Sequence, residues 1–222
     1  MLLVDRLPNA DAFLHLVNRH RRSRLMNAVR NPLSITVPLW DPDPFLKRYA
    51  GFFRPLLGRW GFLVWLAWVM PAVILAGLYF QELTENATDR LLSTEGLLIL
   101  AVTFPIVKAL HELGHAFVLR ALGGEVHQIG LMFVAFFPVP YVEASAAALL
   151  PSKVQRMLVG AAGMMVELVL AALAIYIWIL IEPSIIRAIA YNVIVIAGVS
   201  TLIVNGNPLL RFDGYFILSE SN

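Results

Sequence analysis

Four long apolar segments limit what this chain can fold into more than any other feature. Each has about 20 residues or more, which is the length that a helix needs to cross about 30 Å of hydrocarbon. The composition agrees, because 59% of the 222 residues are hydrophobic and 14% are charged, whereas soluble domains carry about 25% charged residues. The segments cover residues 60–80, 96–119, 157–181 and 185–204. We therefore predict an all-α polytopic membrane protein with four transmembrane helices.

Charged residues outside these segments predict the orientation in the membrane. Residues 1–59 contain ten Lys and Arg and four Asp, a net charge of +6, whereas residues 81–95 contain four acids and one Arg. Basic residues collect on the cytoplasmic side, so we expect a multi-pass protein of the cell (inner) membrane with a cytoplasmic N-terminus. No nucleic-acid motif accompanies the basic cluster around Arg21 and Arg24. The lipid bilayer is therefore the expected partner, and nucleic acid is not.

The remaining segments predict two domains and one small β element. Residues 1–58 are interpreted as a cytoplasmic basic segment and linker, in which residues 41–44 (Asp-Pro-Asp-Pro) form a turn or an extended stretch. Residues 59–222 are interpreted as the transmembrane core. Within this core, residues 126–142 are too short for another span, contain two prolines and are rich in Phe, Val and Ile. They predict a short membrane-associated β-hairpin between the second and third helices.

The strongest sign of chemistry is His111-Glu112-Leu113-Gly114-His115 in the second apolar segment. Positions i and i+4 share one face of a helix, so the two imidazoles can bind one tetrahedral Zn²⁺. Glu112 lies beside them, where a carboxylate can take a proton from water that zinc has acidified. Ionisable residues in a span are costly and usually functional. The alternative interpretation is a polar network that only joins helices.

A catalytic zinc site usually has three protein ligands and one open position, so a third ligand is required. The chain has no cysteine, and its other histidines lie in the basic N-terminal segment or just after the Gly123-Gly124 helix stop. Asp213 is the better candidate, because it follows the fourth apolar segment and returns to the side where the second one ends. Gly214 would allow a sharp turn there. We predict that His111, His115 and Asp213 bind one zinc ion per chain in the cytoplasmic half of the bilayer.

Glu167 places a carboxylate in the middle of the third apolar segment, where it must be paired, protonated or exposed to water. It is a candidate to hydrogen-bond a zinc-ligating histidine and so orient it. It could equally be a neutral acid bonded to another helix, and the cost of burying a charge favours this second interpretation. Lys108, one turn before His111, is a candidate partner for a carboxylate. The small residues from Gly160 to Gly163 are typical of a helix-packing face.

Two motifs together resemble the site-2 protease family of intramembrane zinc metalloproteases. They are His111-Glu112-x-x-His115 and Asn205-x-x-Pro208-x-x-x-x-Asp213-Gly214. The run FFPVPYV at residues 136–142 and the ending NPLLRFDGY at residues 207–215 are similar to a bacterial branch of peptide zinc metalloproteases. The resemblance covers roughly residues 31–222.

The resemblance implies that His111, His115 and Asp213 bind zinc, that Glu112 is the catalytic acid and base, and that Asn205 positions the substrate or the oxyanion. It implies an intramembrane zinc metalloendopeptidase that cleaves membrane-embedded or membrane-associated peptides. We expect such a peptide to be presented as an extended strand along the hairpin, because unwound backbone in hydrocarbon needs hydrogen-bond partners. An exporter or a peptide-modification protein is a candidate partner.

Two departures from the family pattern are visible. Many members have Gly-Pro-x-x-Asn in the third span, where this chain has Gly163-Met-Met-Val-Glu167. Relatives also usually continue beyond the point where this chain ends, so truncation of the core at the C-terminus is one interpretation. The alternative function is a catalytically idle homologue that acts as a peptide-binding or exporter-associated membrane scaffold. An intact Glu112 favours the enzyme, because a binding protein needs no general base beside a metal.

Overall fold

Helices dominate the computed structural model of the protein, which describes residues 34–85, 87–134, 137–207, 209 and 213–221. The elements in chain order are β1 (Ser34–Trp40), α1 (Asp43–Phe53), a 3₁₀ turn (Arg54–Leu57), α2 (Arg59–Leu78), α3 (Phe80–Thr84), α4 (Ala87–Leu92), α5 (Thr94–Ala121), β2 (Ile129–Val134), β3 (Phe137–Val142), a second 3₁₀ turn (Ser145–Leu149), α6 (Lys153–Leu180), α7 (Ile185–Val199), a π-helical turn (Ser200–Asn205) and α8 (Asp213–Ser221).

The prediction of four membrane-spanning helices is confirmed. Within the described residues, α2, α5, α6 and α7 with its π-helical turn are long and apolar enough to cross a membrane, with mean hydropathies of 2.1, 1.6, 2.3 and 1.9. Consecutive spans run in opposite directions across a membrane. The start of α2, the end of α5 and the start of α6 therefore share one membrane face, which we call the basic face because Arg59, Arg120 and Lys153 lie there.

Helix α6 is the centre of the bundle, because α2, α5, α7 and α8 all pack against it. Small residues allow the close approach of α5 and α6. A Cβ atom added to Gly114 of α5 would lie 2.8 Å from a methyl carbon of Val166 and 3.1 Å from the carbonyl oxygen of Ala162. Between α2 and α6, the indole N–H of Trp65 donates to the carbonyl oxygen of Met165 over 3.1 Å. These contacts fix the position of the α6 residues that face α5.

The predicted β-hairpin is confirmed, but it belongs to a three-stranded antiparallel sheet with the order β1-β2-β3. Strand β1 was not predicted, because residues before Gly58 show only a weak pattern. The described residues form two compact units. One contains residues 34–37 and 131–139 of the three strands, and the other contains residues 38–130 and 140–221 with all the helices.

The region expected to be a linker contains helix α1, and residues 41–44 are not all turn or extended chain. Asp43 and Pro44 form the first residues of α1. Proline is tolerated in the first helical turn because the N–H that it lacks has no partner within the helix. Leu46 is fully buried, and the ring of Phe53 stacks on Phe117 of α5 with centroids 4.3 Å apart. Residues 1–33, and Phe136 and Pro208 of the motifs, lie outside the described residues.

Candidate metal and catalytic site

His111 and His115 lie one turn apart on α5, and both side chains are almost fully buried. Their rings are close to perpendicular, with centroids 4.8 Å apart, and the two Nε2 atoms are 3.1 Å apart. The helical spacing therefore places both imidazoles at one point inside the bundle, as the sequence predicts.

The surroundings of each ring determine which nitrogen carries a lone pair. Nδ1 of His115 lies 2.7 Å from the carbonyl oxygen of Val159, and Nδ1 of His111 lies 3.1 Å from Oε1 of Glu167, although this second contact is not a well-directed hydrogen bond. A carbonyl or carboxylate oxygen accepts a proton and does not donate one, so these contacts favour the proton on Nδ1 of each neutral ring. Both Nε2 atoms then present lone pairs to the same space, as a metal site requires.

Asp213 begins α8 and brings a carboxylate oxygen to the same space. Its Oδ2 lies 3.1 Å from Nε2 of His111 and 3.5 Å from Nε2 of His115. This oxygen is buried and accepts no well-directed hydrogen bond. Burial alone would raise the pKa of the Asp213 carboxyl, whereas protonated imidazoles at His111 and His115 would outweigh burial and lower this pKa below its usual range.

The three donor atoms fit a zinc ion. They lie within 4.8 Å of one another, and two ligands about 2.05 Å from a tetrahedral zinc ion would be about 3.3 Å apart. The separations of 3.1, 3.1 and 3.5 Å among these atoms are close to that value. Two imidazoles and one carboxylate are also a ligand set found in catalytic zinc sites. The carboxylate that the sequence suggests as a third ligand therefore lies beside the two imidazoles.

Two glycines make this convergence sterically possible. A Cβ atom at Gly163 of α6 would overlap the imidazole of His111 and would lie 2.5 Å from Nε2 of His115. A Cβ atom at Gly214 would lie 2.7 Å from the carbonyl oxygen of Asn205. Gly214 lies in the first turn of α8 and not in the sharp turn expected for it. The absence of a side chain there lets the backbone of α8 approach the backbone at Asn205. Gly163 contacts the histidines themselves, beyond its expected role in helix packing.

Glu112 lies beside the two histidines in sequence but is not part of the donor cluster. Its Oε2 accepts a hydrogen bond over 3.2 Å from the backbone N–H of Val142, the last residue of β3. A carboxylate that is held near a metal site without ligating the metal is suited to proton transfer. The bond from Val142 was not predicted, because it joins residues 30 positions apart.

Glu167 is completely buried and makes contacts of both kinds that the sequence left open. Its Oε1 accepts hydrogen bonds from Nζ of Lys108 over 2.8 Å and from the hydroxyl of Ser200 over 3.0 Å. Its Oε2 receives the hydroxyl of Thr201 over 2.7 Å. Together with its contact to His111, Glu167 thus joins α5, α6 and the π-helical turn. The ammonium group of Lys108 is close enough to compensate a charge on Glu167, and the bonds to Ser200 and Thr201 are those expected of a carboxyl group bonded to another helix.

Asn205 ends the π-helical turn and is 5% exposed. Its Nδ2 donates to the hydroxyl of Ser200 over 3.2 Å, and this hydroxyl also receives a hydrogen bond from Lys108. Asn205 is therefore connected to Glu167 through a single hydroxyl. Sequence reasoning missed Ser200 and Thr201, although two adjacent hydroxyl residues in an apolar segment are a recognisable signal. π-Helical turns are often found at functional sites.

Comparison with known proteins agrees with this geometry. The family model for Peptidase family M50 matches residues 98–219, which is more than half of the chain. Comparison with curated proteins and with solved structures gave no match. The match runs from the helix that carries His111 to the helix that carries Asp213. Peptidase family M50 is the site-2 protease family, whose members are in general zinc metalloproteases of membranes, and this chain belongs to it.

Proposed function

We propose that the protein is an intramembrane zinc metalloendopeptidase that hydrolyses peptide bonds of membrane-embedded or membrane-associated peptides. The observation that carries the proposal is the convergence of three lone-pair donors from α5 and α8, next to a carboxylate that is not one of them. These helices are about 100 residues apart in sequence at the relevant positions, so local spacing does not explain the cluster. A multi-pass protein with this cluster can hold a reacting water away from bulk solvent.

The proposal gives each site residue one role. His111, His115 and Asp213 hold the zinc ion, which supplies Lewis acidity and lowers the pKa of a water molecule. Glu112 takes the proton from the attacking water and returns it to the leaving amine. The N–H of Val142 fixes the direction of the Glu112 carboxylate through Oε2.

Glu167 and Asn205 support the reaction in different ways. Glu167 is a positioning residue that orients His111 through Nδ1, and such contacts usually raise metal affinity. An amide nitrogen carries two N–H donors, so the bond from Asn205 to Ser200 engages one of them. We assign the other to the substrate carbonyl or to the oxyanion that develops on it.

The last residues of β3 restrict how a substrate strand can bind. The N–H of Glu143 donates to the carbonyl oxygen of Gln128 over 2.9 Å, so odd-numbered residues here pair with β2 and even-numbered ones face the open edge. At that edge Pro140 has no N–H, and the N–H of Val142 is bonded to Glu112. This part of β3 therefore offers the Pro140 carbonyl as an acceptor but no unused donor. An extended substrate would bind here by donating its own N–H groups.

The membrane orientation follows from the basic face. The starts of α2 and α6 and the end of α5 carry Arg59, Lys153 and Arg120. At the opposite face, Glu82 and Glu85 lie between α2 and α5, and Glu95 lies in the first turn of α5. By the positive-inside rule the basic face is cytoplasmic. His111 lies ten residues before the end of α5, about 15 Å along the axis at 1.5 Å per residue. The site then lies in the cytoplasmic half of the cell (inner) membrane.

The test is Glu112→Gln in the purified protein, reconstituted in lipid and incubated with a mixture of membrane-spanning peptides whose fragments are identified by mass spectrometry. Zinc content should remain near one per chain, and cleavage should fall by about 10²–10⁴-fold, as expected for loss of a general base. Glu143→Gln is the matched control, because it makes the same change in an exposed carboxylate next to Val142.

Undiminished cleavage in Glu112→Gln would disprove the role of Glu112. If the wild-type protein binds zinc but cleaves no membrane peptide, the result would favour the idle peptide-binding or exporter-associated homologue. If it binds no zinc, the cluster would be a polar network that joins α5, α6 and α8.

A further inference from the structure

A second polar site lies at the basic face, away from the histidines. A cavity of about 350 Å³ opens between α1, the 3₁₀ turn that follows it and the C-terminal end of α5. Three basic side chains line it, which are those of Lys47, Arg54 and Arg120. The other lining residues are uncharged: Ala50, Gly51, Ala121, Leu122 and Gly123. The cavity therefore has a concentrated positive charge and no acid in its lining.

The positive charge is only partly compensated by the protein. Arg120 has internal partners, because its Nε lies 3.4 Å from Oδ1 of Asp43 and its Nη1 donates to the carbonyl oxygen of Gly124 over 3.0 Å. Within the part of the chain that the structure describes, neither Lys47 nor Arg54 forms an ion pair. Three cations against one nearby carboxylate leave a net charge of +2. An anion bound in the cavity would neutralise this positive charge.

Neighbouring basic residues are arranged differently, which shows that the cavity is not simply a sample of a basic surface. The guanidinium of Arg48 lies 5.8 Å from the ring centroid of Tyr49, and that of Arg59 lies 5.9 Å from the ring of Trp60. Both cations thus lie over aromatic rings, and neither lines the cavity. The basic residues between positions 47 and 59 therefore form two groups with different surroundings.

The site lies where lipid headgroups meet the protein. Arg120 is the second-last residue of α5, and Arg54 lies five residues before the start of α2, so the cavity is close to the ends of two spans. Helix α1 also exposes an aromatic stripe, formed by Phe45, Tyr49 and Phe52 at helical spacing. Aromatic residues of this kind are typical of helices that lie in the membrane interface. An anion that reaches the cavity from this interface would carry acyl chains.

We propose that this cavity binds the phosphate group of an anionic phospholipid, with Lys47 and Arg54 as its main contacts. Basic pockets beside transmembrane helices are suited to such headgroups, because a phosphate accepts several charge-assisted hydrogen bonds. Binding at this position would connect α1 to the end of α5, the same helix that carries His111. The proposal is independent of the proposed proteolysis, since it rests on the charge and shape of a cavity that neither histidine lines.

The experiment uses the purified full chain in neutral detergent at low ionic strength, titrated with fluorescent phosphatidylglycerol or phosphatidylcholine. The measured quantity is the ratio of the two dissociation constants. In Lys47→Gln/Arg54→Gln the preference for phosphatidylglycerol should fall by about 30-fold, which corresponds to about 1 kcal/mol for each basic group near a headgroup. Arg48→Gln/Arg59→Gln removes the same charge from the same segment and should retain most of the preference. Zinc content and thermal unfolding of both variants check that the bundle remains intact.

Two results would overturn the proposal. Equal loss in both double variants, or no loss in either, would show that the preference comes from the overall basic charge and not from this cavity. Inorganic phosphate is the second arm of the experiment. The second overturning result is that millimolar phosphate displaces the fluorescent phosphatidylglycerol from the wild-type protein but not from Lys47→Gln/Arg54→Gln. In that case free phosphate is the occupant of the cavity, and the lipid assignment is wrong.

Discussion

The substitution Gly163→Ala would test the metal site by adding a single methyl group. The added Cβ would lie 2.5 Å from Nε2 of His115 and would overlap the ring of His111, whereas ordinary contacts begin at 3.4 Å. At least one imidazole must therefore move by about 0.9 Å or α6 must retreat from α5. Gly163 is in the interior of α6, so alanine fits its backbone conformation and the collision is the main effect.

The expected effect on zinc is larger than the effect on folding. Metal-ligand distances are defined within about 0.2 Å, so a displacement of about 0.9 Å removes at least one ligand from its position. Substitutions that only disturb a supporting contact cost about 10–100-fold in metal affinity, so we expect more than about 100-fold for Gly163→Ala. Overpacking costs about 1–3 kcal/mol of unfolding free energy, and the higher helix propensity of alanine offsets about 1 kcal/mol of it.

Zinc affinity would be measured by competition with a chromogenic chelator, and unfolding of the metal-free protein by its thermal transition in detergent. The matched control is Gly160→Ala, one turn earlier on α6. Its Cβ would meet only a side-chain carbon of Ile217 at 3.3 Å and the carbonyl oxygen of Asp213 at 3.8 Å. We expect Gly160→Ala to bind zinc much as the wild-type protein does. Equal zinc affinity in the two variants would refute the argument that Gly163 makes room for the histidines.

The remaining predictions concern the residues around this cluster. His111→Ala should lose zinc from the purified protein, and full retention of the metal would reject His111 as a ligand. Glu167→Gln should lower zinc affinity by about 10–100-fold, and unchanged affinity would leave Glu167 with a structural role alone. Lys108→Met should destabilise the fold by about 3–5 kcal/mol, because it leaves a buried carboxylate without its cation. Adding Glu167→Gln to Lys108→Met should restore part of the lost unfolding free energy, measured by chemical unfolding. If the effects of the two substitutions simply add, Lys108 and Glu167 do not stabilise each other. Val142→Pro should keep zinc but lower turnover, since Glu112 loses its donor; normal turnover would show that this bond is dispensable.

Much of the fold follows from local sequence rules. Hydrophobic runs of sufficient length predict spans whatever their neighbours are, and all four spans are found where they were expected. The hairpin follows from the many Phe, Val and Ile residues, which favour strands, between two spans. Helix α1 and strand β1 were missed for the opposite reason. Their formation depends on partners elsewhere, such as Phe117 for Phe53 and strand β2 for β1. The sequence of a short segment with weak periodicity does not identify those partners.

At the site, too, some features follow from local sequence and others depend on how the helices pack. The relation of His111 to His115 is fixed by helix geometry, so four residues of spacing were enough to predict it. The contacts of Glu167 depend on how α5, α6 and the π-helical turn are rotated relative to one another. Its position in an apolar span signals that it needs partners, since an unpaired carboxylate there is costly. Three of the atoms that satisfy it come from Lys108, Ser200 and Thr201. Residues that need partners can thus be recognised from sequence, whereas the partners themselves become identifiable only when the helices are packed.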